Sequence, residues 1–149
     1  MPGAGSRTFQ QAVRDGLVAR TASGWQRFTP HPGGPCKLRI DVEGTQESET
    51  CFIEVVVRSG ESWPHGSISV IWNGERVFGL DLDGPAHRNR NGIPIPTPHL
   101  QQLDENGTED VVPVDVRQEA IDNLETAIRW LARQAGIAWE VEALQNLLL

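Results

Sequence analysis

No stretch of this chain approaches the roughly 18 consecutive apolar residues that a membrane-spanning helix requires. The opening residues, MPGAGSRTFQQAV, lack a charged end followed by an apolar core, so they do not read as a secretory signal. These two absences point to a cytoplasmic protein with no membrane partner. Cysteine is scarce: Cys36 and Cys51 are the only two, on or beside separate predicted strands. No second pair completes a metal-ligand set. Buried free thiols are the expectation, with a disulfide or a reactive or metal role as open alternatives. Tyrosine is absent beside five tryptophans, and neither count excludes a function. Repeats, low-complexity segments and cofactor motifs are also missing, so no cofactor is expected.

Basic residues run short in one region only. Residues 1–57 carry six basic and six acidic side chains, and residues 58–100 carry four of each. Residues 101–149 carry three basic and ten acidic, so the whole net charge of −7 arises there. That acidic third repels phosphate backbones and suits a basic protein partner better than nucleic acid. The segment Ala86–Arg90, AHRNR, is a small local exception.

What is present fits one domain over residues 1–149, long enough to bury a single core. Phe9, Val13 and Leu17 are four apart, which predicts a helix over residues 7–18. GWQRF, Gly24–Phe28, suggests a short strand, and Thr29–Pro35 a turn-rich loop holding His31. Alternation of Leu38, Ile40 and Val42 predicts a half-buried strand. Cys51–Arg58 reads as a more buried one. Ser67–Trp72 and Arg76–Asp83 flank Asn73-Gly74, a hairpin signal because both turn residues tolerate positive φ. His99–Leu103 and Val111–Asp115 follow as strands, the latter at an edge because Pro113 lacks a backbone donor. Asp115 is the expected cap of a helix over 116–135, which Gly136 ends. Residues 137–149 fit a strand with a tail or a last helix, and Leu144, Leu147 and Leu148 favour the helix. The order predicts an α+β fold: an antiparallel sheet of about five to seven strands, with an N-terminal helix and one or two C-terminal helices on one face. The other face stays open to a ligand or partner.

The chemistry concentrates in LDLDGPAHRNRNGIPIPTPHL, Leu80–Leu100. Asp81 and Asp83 are two apart on a strand and so share a face. His87 and His99 bracket a loop stiffened by Pro94, Pro96 and Pro98, which is able to fold His99 back beside the acidic strand end. Two imidazoles, a carboxylate and Arg88 or Arg90 suit metal-free phosphodiester cleavage. One histidine would take a proton from a 2′-hydroxyl, the other would donate to the leaving oxygen, and arginine would stabilise the phosphorane. A metal held by two histidines and an aspartate is an alternative, but the spacing matches no sharp zinc motif. The plainer alternatives are equally open. Asp81 and Asp83 would solvate a strand face, Asp83-Gly84-Pro85 and Asn91-Gly92 would be turns, and His65 and the loop arginines ordinary surface groups.

The run from Leu80 through Asp115, followed by a helix, resembles the TumE toxin family of bacterial toxin–antitoxin pairs. Those toxins carry an Asp near a strand end, a Pro-His element, a second His-rich element, a turn, a V-V-P-like strand and a closing helix. The run is similar also to a family of small uncharacterised bacterial proteins with H-x-N-P-D-G, H-x-H and a leucine-rich tail. The matching positions are Asp81, His87, Asn89, Asn91-Gly92, His99 and Leu147–Leu149, within residues 76–149. Two departures stand out: Gln101 replaces the second histidine, and the Pro-Asp of H-x-N-P-D-G is missing. The resemblance implies a toxin-like, RNA-directed domain restrained by an antitoxin. With Gln101, which still hydrogen-bonds a phosphate or a base, it implies equally a non-catalytic relative. Two functions therefore compete, and whether the chain is an enzyme stays open. One is an endoribonuclease using His87, His99, Arg88, Asp81 and Asp83, with Arg90, Asn89 and Gln101 binding. The other is an accessory subunit of a defence or toxin–antitoxin system acting through protein contacts.

Overall fold

The computed structural model describes residues 6–23, 26–27, 35–58 and 65–142. His31, most of the Thr29–Pro35 loop, residues 59–64 and the leucine tail at 143–149 lie outside the described residues. In chain order the elements are α1 (Phe9–Asp15), β1 (Val18–Ala22), β2 (Gln26–Arg27), β3 (Pro35–Glu43), β4 (Cys51–Arg58), β5 (Ser67–Trp72) and β6 (Glu75–Asp81). Then come β7 (His87–Arg88), β8 (Pro94–Ile95), β9 (His99–Leu103), β10 (Glu109–Pro113), α2 (Leu124–Ala135) and β11 (Ala138–Trp139).

Period-two alternation builds the sheet. Leu38, Ile40, Ile53, Val55, Ile68, Val70 and Leu80 are fully buried, while their strand neighbours turn to the opposite side. The sheet has nine strands in the order β10-β9-β6-β5-β4-β3-β1-β11, with β2 also paired to β3. Every pair is antiparallel except β1–β11. The strand number exceeds the sequence expectation, because β1 follows directly on the first helix without a clear alternation and the two-residue β11 carries no readable period. β7 and β8 form a separate ribbon inside what the sequence suggested as loop. Asn73 and Gly74 both take positive φ, 50° and 82°, at the β5–β6 turn, as the hairpin signal required. β10 is an edge strand, as Pro113 implied.

Both helices pack on one face. Phe9 and Ala12 of α1 join Ala127, Ile128 and Leu131 of α2 in one core with the inward strand residues. α1 has seven residues, too few to persist alone in water. Packing holds it, with the Phe9 ring 5.9 Å from Trp72 and 6.0 Å from Phe78. Burial of one such ring contributes about 1.5–3 kcal/mol. Its entry is tied down by Arg7, which donates to Glu49, Asp15 and the Gly44 carbonyl. Hydrogen bonds from Arg7 hold the buried Glu49 carboxyl below the usual carboxylate range, against the opposing effect of burial. The nearby Cys51 is a free, buried thiol, pushed up to about 12 by burial and by the Glu49 charge. The side chain of Cys36 lies outside the description. Its backbone pairs with Val57, six residues along β4 from Cys51, or about 20 Å at strand rise, too far for a bridge.

Two helix expectations need correction. The first helix ends at Asp15, not residue 18, because Gly16 turns the chain at φ 109°. Leu17 is buried as its spacing suggested, but beside the first strand. The second helix begins at Leu124, not Val116. Asp115 caps one turn only, accepting from the Arg117 and Gln118 amides. The chain then leaves that turn at Ala120, φ 57°, and drives Ile121 into the core. Asn123 is the true cap, reciprocated by Thr126. Gly136 stops α2 in the left-handed conformation, φ 83°, as expected. Residues 138–139 form the short parallel strand β11.

Candidate functional site

The open face of the sheet carries a polar network, set out by strand register. One cross-strand row reads Gln101–Gly79–Ser69–Glu54–Arg39. The next reads His99–Asp81–Ser67–Val56–Lys37. A bulge between Val70 and Ile71 breaks the alternation in β6 and turns Arg76 onto this face, opposite Ile71. Without it, counting by two from Leu80 would send Arg76 inward. Gly79 supplies the seat. A Cβ there would collide with Cζ, Nη2 and Nε of Arg76.

From this seat Arg76 donates three ways: Nε to Ser69 Oγ at 2.8 Å, Nη1 to Gln101 Oε1 at 2.7 Å, and Nη2 to Asp81 Oδ1 at 2.8 Å. An acceptor at Gln101 Oε1 fixes the amide orientation. Its nitrogen then donates both hydrogens, to Asp81 Oδ2 at 3.2 Å and to His87 Nδ1 at 3.1 Å. His87 is thereby the Nε2–H tautomer, donating from Nε2 to Glu109 Oε1 at 2.6 Å. His99 is 1% exposed. Its Nδ1 lies 3.1 Å from the Ile95 carbonyl and its Nε2 3.0 Å from Asp81 Oδ2. Both partners are acceptors, so either ring N–H of His99 finds one. Burial by itself raises the Asp81 carboxyl. Hydrogen bonding and charge from Arg76 and His99 outweigh it and hold Asp81 below the usual carboxylate range.

The two histidine rings lie 6.1 Å apart, centroid to centroid, in an edge-on arrangement. The proline-braced loop therefore does bring His87, His99, Asp81 and Gln101 together. The other proposed residues engage elsewhere. Asp83 accepts from the Gly66 amide at 3.1 Å and lies 3.0 Å from His65 Nδ1. Arg88 donates to the Gly92 carbonyl at 2.7 Å. Asn89 holds the loop tip by accepting from the Asn91 and Ile93 amides. Arg90 lies 3.8 Å from Asp110. Sequence reasoning missed Arg76, Ser69 and Glu109. A glycine inside an otherwise regular strand, Gly79, was the one available signal of close approach.

Every buried side-chain nitrogen and oxygen among the described residues has a partner. Among the same residues no set of three His, Cys, Asp or Glu side chains is arranged to hold a metal ion. No described helix is long and apolar enough to cross a membrane. Comparison with protein-family models, curated proteins and solved structures returns no match. The likeness of residues 76–149 to TumE toxins thus rests on the short motifs alone.

Proposed function

We propose that this chain is a binding domain related to toxin-like, RNA-directed proteins, serving as a non-catalytic subunit of a bacterial defence or toxin–antitoxin system. The commitment of the histidine nitrogens carries this reading. A general acid or base needs a ring nitrogen within reach of substrate. His99 spends both nitrogens internally, on a backbone carbonyl and on Asp81. His87 spends Nδ1 on Gln101, at the position where the resembled families have histidine. Such a network braces the ribbon Ala86–Ile95 against the sheet and suits recognition. The acidic C-terminal third, with α2 on the opposite face, suits a basic protein partner such as an antitoxin. Labelled RNA incubated with excess protein is expected to stay intact, with wild type, His87→Ala and His99→Ala alike. Cleavage by wild type that disappears in His87→Ala would overturn the reading.

One observation favours the catalytic alternative. His87 is 39% exposed and its Nε2 is 2.6 Å from Glu109, a solvent-facing imidazole–carboxylate pair. In that mechanism the Gln101 amide must first leave Nδ1, a lost hydrogen bond of about 1 kcal/mol. Glu109→Gln would then reduce cleavage along with His87→Ala, which the same assay reads.

A further inference from the structure

A flat cation faces outward from the middle of the open face. Three of the five N–H donors on the rim of the Arg76 guanidinium are committed, to Ser69, Gln101 and Asp81. One of its two faces is seated on Gly79. The Cβ position of that residue is nearly equidistant from Cζ, Nη2 and Nε, which places it over the plane and not at the rim. The side chain is still 30% exposed. What Arg76 offers a ligand is therefore mainly its outer face. A guanidinium face attracts a flat π system, whereas phosphate recognition uses the rim donors.

The surroundings continue the surface. Ile71 pairs opposite Arg76 and Phe52 opposite Ile71, both half-buried on the same face. The Arg39 guanidinium already stacks on the Phe52 ring, 4.0 Å from its centroid. Asp41, Glu54 and Asp81 are interleaved on this face and would repel a phosphate lying flat on it. To one side is the segment Gly84–Pro98, which holds Arg88 and Arg90 and no acid of its own, with Asp110 3.8 Å from Arg90 and Glu109 against His87. It is joined to the network through His87 and Gln101. A ligand matching both features has a flat uncharged ring and an anion beside it.

We propose that the open sheet face binds single-stranded nucleic acid base-first. One base stacks on the outer face of Arg76, the next contacts Ile71 and Phe52, and the phosphates turn toward Arg88 and Arg90. This names the ligand of the binding domain proposed above and rests on that reading.

Fluorescence anisotropy with a labelled ten-nucleotide oligoadenylate RNA, and with an abasic strand of the same length, tests it. Wild type is expected to bind the base-bearing strand roughly ten-fold or more tightly than the abasic one, the scale of one stacked base. Arg76→Lys, which keeps the charge and loses the plane, is expected to erase that difference. Phe52→Ala, which leaves the network untouched, is expected to reduce it. The salt slope for wild type is expected near −1.4, from two phosphates on a single strand, and near zero for Arg88→Gln/Arg90→Gln. Equal affinity for the two strands overturns the proposal, as does a slope steeper than two phosphates allow, or full discrimination by folded Arg76→Lys and Phe52→Ala. Intact RNA that does not bind also removes this inference, while leaving a protein partner for the domain. Cleaved RNA removes the underlying reading instead.

Discussion

Gly79 has no side chain, and Arg76 fills the space where one would be. That exchange organises the site, because the seated guanidinium fixes Gln101, and Gln101 fixes the tautomer of His87. Gly79→Ala is therefore expected to unseat Arg76, break its bonds to Ser69, Gln101 and Asp81, and destabilise the protein by about 1–3 kcal/mol, measured by urea denaturation. Unchanged stability would mean the guanidinium has another place to go. The return of His99 to the acidic strand end was legible, because a stiff loop has few options, but which of Asp81 and Asp83 receives it was not: Asp81 does, and Asp83 meets His65 and the Gly66 amide. Arg76 was not legible, since period-two counting from Leu80 sends it inward and only the bulge at Val70 and Ile71 reverses it. Nothing in residue type separates Arg76 from Arg88 or Arg90, which the loop holds to its own carbonyl and to Asp110.

At the scale of elements, α2 illustrates how capping competes with pattern. The apolar periodicity of Ala120, Ile121, Leu124, Ala127 and Ile128 reads as one helix from residue 116. The backbone instead makes one turn, leaves it at Ala120 and restarts at Asn123. Two capping residues, Asp115 and Asn123, sit eight positions apart, and burial of Ile121 decides that both are used. Asn123→Ala removes the cap and the bond to the Thr126 amide. It is expected to cost about 1 kcal/mol, seen as a lower denaturation midpoint. The matching change at Asp115 should matter less, since it caps a single turn whose residues Arg117 to Ala120 are exposed.

Across the whole molecule, two carboxylates tie distant segments together. Glu49 anchors Arg7 at the start of α1, and Asp81 holds Arg76, Gln101 and His99 on the open face. Both are held below their ordinary range in the folded state. Their contribution is present above the unfolded carboxylate value, near pH 4, and is lost as pH falls through the depressed folded values. Melting temperature is expected to hold between neutrality and about pH 5 and then drop, with a shallower drop in Glu49→Gln/Asp81→Asn. An equally steep acid drop in that double variant would assign the effect to other groups. The sequence by itself determined the α+β class, the central hairpin and the inward strand residues. Each of these follows from local backbone preference or from apolar period. Tertiary structure alone decided the number of strands, the parallel closure by β11, the restart of α2 and the entry of Arg76 into the site. Those depend on pairings between residues far apart in the chain, where burial and register override the preference of any single segment.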